Sequence, residues 1–523
     1  MDSVFDVTIV GSGPAGVSAA LPLLEAGLNV VMVDGGREQT IKLPEKSYLS
    51  HRYGDNDQWK WMLGEDYFAL SQDEEGSPKL RVPTHKNVFE HFLDKNKIKG
   101  KNFVTVGSLA PGGLSNAWGC GVARLSEAEL NKFPFPTAEM DSSYERVTRR
   151  IGISGAADDD LKAYYRLDEW SQAPIEMDDI HTSIIKRYEL KKSKIAANGM
   201  KMGQSRVAVL KNPLGSRQGC DLSGNCMWGC HRKAIYSAVD EISMLKQFSN
   251  FEYQSGFIVE RIKQQNNLQE ITRVMDGKED SILAKKLILA AGTLATTRLV
   301  LKAMNYERSV PLKSTPTAAF LLWFPSKLGV GKSDTFGLGQ LSYALNVTSD
   351  ISGFGSTFAL SGIPATEFIR HLPLKSRFAI DFWRQIVSSC IVGNLFLPGH
   401  LSTSSAKLNE TGGLDITGGY HADLGELMKQ ARSKLVKSYL SLGGIMLPKS
   451  FTIGEPGGDI HYSCTLPMRK SPRVGETDQN GQIFGLENVY AVDGSSLPAL
   501  SEKSHTLTIM ANADRIARYL VSK

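Results

Sequence analysis

The chain has 523 residues, too many for one ordinary hydrophobic core, so two domains are the default. Hydrophobic content of 41% and charged content of 22% are those of a globular protein and argue against large-scale disorder. A net charge of +5 makes no case for nucleic acid, and no uninterrupted apolar run reaches the ~18 residues a membrane helix needs.

The first residues lead directly into an apolar strand, with no basic, apolar and cleavage-site sequence of an export leader. A cytoplasmic location is therefore expected, with export beside a signal-bearing partner left open. A strand at 4–10, a helix at 15–25 and a strand at 29–33 make a βαβ start. Between the first two stands Gly11-Ser12-Gly13-Pro14-Ala15-Gly16, a G-x-G-x-x-G turn that lets bare backbone amides and a helix N-terminus meet a pyrophosphate. Asp34 ends the second strand 18 residues beyond Gly16, close to the ~20-residue offset of the carboxylate that accepts ribose hydroxyls; Gly35 follows it.

Residues 35–100 read as an irregular excursion, and the basic runs at 95–99 and 191–194 as solvated surface. A second glycine-rich loop runs from Gly107 to Gly119 and contains Gly112-Gly113-Leu114-Ser115-Asn116-Ala117-Trp118. A helix is expected at 140–151, and a buried strand at 285–292 followed by a helix at 296–303 repeats the βα unit. From about 309 to 451 the texture changes. Strand-like runs at 318–324, 341–348, 391–397 and 414–418, then an amphipathic helix at 424–442, suggest a separate substrate-covering domain inserted between cofactor-domain segments. The basic, aromatic stretch 369–383 is read as solvated or buried rather than as a membrane contact. The closing sequence Val492-Asp493-Gly494-Ser495, with Ser504-His505-Thr506-Leu507-Thr508, puts a carboxylate and a histidine beside another helix start. Opening and closing blocks together point to a flavin enzyme; a dehydrogenase using only a nicotinamide cofactor has no job for the second.

The ordered set of Gly11–Gly16 with Asp34, Gly112-Gly113-Leu114-Ser115, Ala290-Ala291-Gly292-Thr293 and the closing block resembles the glucose–methanol–choline (GMC) oxidoreductase family. Within it, Gly-Gly-Leu-Ser-Asn-Ala-Trp-Gly is most similar to the branch of pyranose oxidases and the flavin subunits of sugar dehydrogenases. The resemblance implies an α/β, Rossmann-like FAD-binding domain in the two-domain GMC or p-hydroxybenzoate hydroxylase-like arrangement, beneath a substrate domain of β-sheet plus helices. The cofactor domain would take 1–48, 86–150, 218–304 and 456–523; the cap would take 49–85, 151–217 and 305–455. By position, Gly11, Ser12, Gly13, Pro14, Ala15, Gly16, Asp34, Gly35, Ala291 and Gly292 would hold the dinucleotide, with Val259 near adenine. Gly112, Gly113, Ser115, Asn116, Trp118 and Gly119 would line the flavin, with Asp493 and Gly494 beside the pyrophosphate and ribityl chain. The helix beginning near Thr506 would aim its positive end at the flavin pyrimidine. Pyranose oxidases attach FAD through a histidine just before the loop tryptophan; Ala117 stands there, so the resemblance implies non-covalent FAD.

Family members carry an H-x-x-G-T-x-x-M segment. His461 takes its histidine position, Thr465 and Met468 keep register, and Cys464 stands where glycine is usual. His505 fills the second family position. His461 is expected as general base and His505 as hydrogen-bonding partner in oxidising a hydroxyl group, since a neutral imidazole can take the hydroxyl proton as the carbinol hydride leaves for flavin N5. His371, His400 and His421 carry no motif. Cys220, Cys226 and Cys230 put three thiols within eleven residues. The spacing admits a three-iron, four-sulfur cluster, as in certain sugar dehydrogenase flavin subunits, but equally bare thiols, a disulfide, or zinc completed by His231. The expected activity is oxidation of a CH–OH group of a sugar or polyol-like substrate, with a quinone or redox protein as acceptor if the cluster exists and oxygen open if not. A non-redox lyase retaining FAD is the alternative.

Overall fold

The computed structural model describes residues 4–71, 76–331, 333–360 and 374–523. Its first layer is a seven-stranded sheet. The strand Phe5–Val10 lies between Val30–Val33 and Lys278–Leu289, all parallel, with Phe251–Gln254 beyond Val30–Val33. Val489–Ala491 joins the end of Lys278–Leu289 in parallel, and Leu268–Met275 and Arg261–Gln265 extend that side antiparallel. Val30–Val33 is a continuous run of Val and Met, and Val7, Thr8, Ile9 and Val10 of the neighbouring strand are all buried, as strands covered on both faces require. Pro14 opens the helix Pro14–Glu25 at its first turn, where a missing N–H costs nothing. The closing helix Thr506–Val521 packs between it and Ala138–Ile151. Val17, Met140, Leu507 and Ile516 all belong to the buried core this triad forms with the sheet.

The second layer is an antiparallel sheet ordered Ile445–Met446, Thr317–Trp323, Cys390–Phe396, Ser352–Ala359, Gly339–Asn346 and Met200–Gln204. Period-two alternation divides each strand. Phe320, Leu322, Leu341, Tyr343, Ile391 and Leu395 face the helices Asp179–Ala197 and Leu424–Ser441, which answer with Ile184, Tyr188, Met428 and Leu435 at helical spacing. Gly355 and Gly393 sit on that face because a β-carbon there would strike the Tyr343 and Phe320 rings, at 2.4 Å in each case. The opposite row faces the first layer.

One expected strand has a different home. Leu414–Thr417 joins Ile98–Lys101 in parallel, with Ser405–Leu408 and Val310–Pro311, in a separate four-stranded sheet. Leu414 and Ile416 share a core with Leu294 and Leu301 of the helix Thr293–Ala303. Alternation marks a strand but not its partner, which here lies more than 300 residues upstream. His371 and the first part of the 369–383 stretch lie outside the described residues; Phe382 is exposed and Trp383 buried.

Arg206, fully buried, ties the cap together. Its guanidinium bonds Asp159 at 2.8 Å and Asp168 at 2.9 Å. Removing the cation strands two sheltered carboxylates, so Arg206→Met should cost about 3–5 kcal/mol, read as a fall in the denaturant midpoint with FAD content followed in parallel.

Candidate active site

A cavity of about 1120 Å³ runs between the two layers, from Asp34 and the first glycine turn to His461 and His505. Its walls explain the glycines. A β-carbon on Gly11 would lie 2.3 Å from the Ala290 carbonyl oxygen, and one on Gly16 would lie 1.9 Å from that of Gly11, so strand, turn and helix approach as only bare backbone allows. Gly11 also holds φ at +105°. Gly13 is different: the first atom its β-carbon would meet is 3.9 Å away, across the cavity at Gly112. The helix N-terminus therefore opens onto free space between two glycine loops, the arrangement that suits a pyrophosphate.

Asp34 follows its strand 8% exposed; one carboxylate oxygen accepts the Gly36 N–H at 2.9 Å, and the other accepts the Tyr253 hydroxyl at 2.6 Å and the Ser12 hydroxyl. Burial pushes this carboxyl up, and those donors oppose the shift. Ser12 in turn accepts the Gly112 N–H at 3.1 Å, so it links the two loops. In the second loop most polar side chains serve the loop itself. Ser115 donates to the Gly112 carbonyl at 2.6 Å and accepts from Ala238 N–H, Asn116 spans the Pro111 and Gly113 carbonyls, and Trp118 donates to the Tyr236 carbonyl at 2.9 Å. Ser115, Ala117, Trp118 and Gly119 reach the cavity wall; Gly16, Gly112 and Asn116 stand behind it. Pro14, Ala15, Gly35, Gly113, Val259, Ala291, Gly292, Gly494 and Thr506 line it.

Asp493 is fully spent. It accepts Gly292 N–H at 2.9 Å, Thr296 hydroxyl at 2.5 Å, and both the N–H and hydroxyl of Ser495 at 3.0 and 2.6 Å. Past it, Cys464, Leu466 and Met468 donate backbone N–H groups to the carbonyls of Gly494, Ser495 and Ser496. This ladder delivers the segment bearing His461 to the closing helix, and the two imidazole centroids stand 5.2 Å apart at 85°. Ile460 and Cys464, on either side, both adopt left-handed backbone with φ of +65° and +68°. Such strain in a β-branched residue marks a site held by its surroundings. Cys464 thus keeps the glycine conformation without being glycine.

His461 Nδ1 lies 3.2 Å from Asp459, whose carboxylate also accepts the Thr315 hydroxyl. Asp459 was missed in the sequence; only the left-handed turn at Ile460 brings it back to the ring. Neither His461 Nδ1 nor His505 Nδ1, both buried, has a hydrogen-bond partner among the described residues, so Asp459 meets the His461 ring as a charge contact rather than a hydrogen bond. Burial first, then the His461 charge, pushes the His505 pKa down to about 3, so it stays neutral. Phe396 packs 5.4 Å from the His461 ring. Over the cavity a polar lane crosses the roof: Ser205 to Ser342 at 2.7 Å, Ser342 to Ser356 at 2.8 Å, and Ser356 N–H to the Asn394 side-chain oxygen at 2.7 Å.

The thiols do not form a metal centre. Cys220, Cys226 and Cys230 are free, and among the described residues no group of three His, Cys, Asp or Glu side chains is arranged to hold a metal ion. Burial pushes the Cys220 thiol up to about 11 and Cys226 well above the usual thiol range. His231 turns to Asp221 at 3.4 Å. The loop instead plants Trp228, fully buried, against Tyr48 and Trp61 with ring centroids 5.5 and 5.3 Å away. No helix among the described residues is long and apolar enough to cross a membrane.

Fold and site together define an FAD-dependent oxidoreductase acting on CH–OH donors. Residues 456–513 match the family model described as GMC oxidoreductase, and residues 4–52 match that of an FAD binding domain. The chain is 22% identical over 560 aligned residues to 6'''-hydroxyparomomycin C oxidase of Streptomyces lividus, covering 100% of this chain and 92% of the relative. The crystal structure of pyridoxine 4-oxidase from Mesorbium loti shares the fold with a TM-score of 0.60 at 14% identity, over 99% of each chain. The family likeness is thus carried at both ends of the chain, GMC oxidoreductase at the closing segment and FAD binding domain at the opening one.

Gly16→Ala should yield folded but colourless protein, read as loss of flavin absorbance with far-ultraviolet dichroism retained. A pH dependence also follows. His85 and His505 are both held near 3 in the fold against 6.5 in the unfolded chain, chiefly by burial. Their neutral forms are stable above 6.5, and stability should fall by about 1.4 kcal/mol per pH unit for each as pH drops from there towards 3. Thermal melts from pH 7 to pH 5 measure it, with a shallower slope expected in His85→Asn.

Proposed function

We propose that this enzyme oxidises a hydroxyl group of a sugar or polyol-like substrate to a carbonyl, with non-covalent FAD, His461 as base and His505 as orienting partner. The observation that carries the reading is the pair of imidazoles 5.2 Å apart in the cavity onto which both glycine loops open. The residues fit the cofactor: Gly13, Gly119 and Gly292 leave space where a side chain would intrude, and Ala117 offers no atom for a covalent bond. Gly11, Gly13, Pro14 and Gly113 would cradle the phosphates, with Asp34 and Val259 at the adenosine end and Trp118, Gly494 and Thr506 at the flavin end. Bound FAD supplies the hydride acceptor for the carbinol carbon.

The protein's own groups handle the proton. Asp459 at Nδ1 orients the His461 ring and stabilises the charge it gains, which leaves Nε2 to take the hydroxyl proton. His505, neutral, holds the substrate oxygen without competing for that proton. The start of the helix Thr506–Val521 turns its positive end to the cavity, which favours negative charge there. The serine and asparagine lane supports a polyhydroxylated substrate, as does the similarity to an enzyme named for hydroxyparomomycin. Both relatives are named oxidases, which supports oxygen as acceptor.

Anaerobic addition of substrate should bleach the flavin, and air should restore it rapidly; turnover without bleaching would mean a lyase. His461→Ala should lower kcat about 10²- to 10⁴-fold with FAD retained.

A further inference from the structure

Lys79 is a partly exposed cation on the cavity wall, and among the described residues no counter-charge pairs with it. It belongs to the short 3₁₀ turn Pro78–Arg81, started by Ser77, whose hydroxyl accepts the Lys79 N–H at 3.4 Å. Thr84 anchors the following turn by donating to the Trp228 carbonyl at 2.6 Å. The backbone is therefore fixed, and the side chain borders the cavity that holds His461 and His505. The other cavity cations are accounted for. Arg206 pairs with two aspartates, Arg81 is engaged, and Lys449 is exposed at the rim. No carboxylate pairs with Lys79 among the described residues. Its electrostatic neighbours are Cys120 and Cys226, both pushed up by burial and so neutral, and burial brings the Lys79 ammonium itself down to about 8. The cavity acids offer nothing: Asp34, Asp459 and Asp493 are committed elsewhere, and Glu455 is exposed. Gly76, three residues before Lys79, lies against Gly458 of the segment that bears His461, which puts this turn beside the histidine end of the cavity.

We propose that Lys79 forms an anion subsite for the substrate, so that the hydroxylated molecule oxidised here carries a carboxylate or a phosphate. An uncompensated ammonium in a sheltered cavity is costly, and an anionic substituent removes that cost only when the right molecule is bound. The same contact excludes hydroxylated molecules that carry a positive charge at that end. The inference rests on the oxidative reading of the site but is tested separately from it.

The test uses the FAD-loaded full chain with three probes: glucose, gluconate and glucose 6-phosphate. Each is titrated anaerobically against flavin absorbance, which reports binding as a band shift and oxidation as bleaching. Gluconate or glucose 6-phosphate should act at a concentration at least about tenfold below glucose, the scale of one charge-assisted contact. Whichever of the two shows the gain identifies carboxylate or phosphate. Lys79→Met should erase the preference and Lys79→Arg should keep it, with FAD content equal in all three proteins. The proposal is overturned if no probe perturbs the flavin, if wild type shows no preference for a charged probe, or if Lys79→Met leaves the preference intact. It is also overturned if Lys79→Met instead loses FAD or shifts the flavin potential with ligand preference unchanged. A charged probe that shifts the band in a Lys79-dependent way without bleaching supports the subsite and sinks the oxidative reading. Bleaching by glucose with no charge preference does the reverse.

Discussion

Asp493 lies 4% exposed with four donors aimed at its two oxygens, and the geometry of the cavity is referred to it. Withdrawing a carboxylate from water costs several kcal/mol, which only a full set of hydrogen bonds offsets. Two of those bonds come from the strand-to-helix turn at 292–296 and two from Ser495. The carboxylate therefore fastens the end of the chain to the sheet that begins it. From that anchorage the backbone ladder at 494–496 places His461, and the closing helix, wedged against Pro14–Glu25, places His505. Two histidines 44 residues apart in sequence thus share one reference point.

Strain and charge at the site follow from this rigidity. Ile460 and Cys464 hold backbone angles that neither residue favours, and the flanking ladder keeps them there. The turn at Ile460 folds Asp459 back onto the His461 ring, so the two imidazoles have opposite surroundings. One has a carboxylate beside it, and the other stands at a helix start with no charged group but the first imidazole acting on it. Equal residues in unequal environments can divide proton transfer from orientation.

What was legible in the sequence is what local chemistry dictates. The first glycine turn, the second glycine loop and the closing block announce themselves because close backbone approach, positive φ and helix starts each demand particular residues. Strands of the roof were legible through alternation, since one row must meet helices and the other must not. Long-range choices were not. The run at 414–418 is strand-like in any partner, and only the folded chain selects Ile98–Lys101. The cysteine trio has the spacing of a ligand set, yet among the described residues no such set is assembled, and the loop buries Trp228. Lys79 looked like any lysine in an irregular stretch, because the missing partner of a charge is a tertiary fact.

The alternating strands of the roof carry a consequence for how such a protein diversifies. Positions of one parity, such as Leu322, Tyr343 and Ile391, weld the sheet to its helices, while residues of the other, such as Ala319, Ser342 and Val392, look onto the cavity. Selectivity can thus drift by exchanging residues of the second parity alone. The scaffold above and the redox apparatus below are left untouched, so new substrates cost little in foldedness.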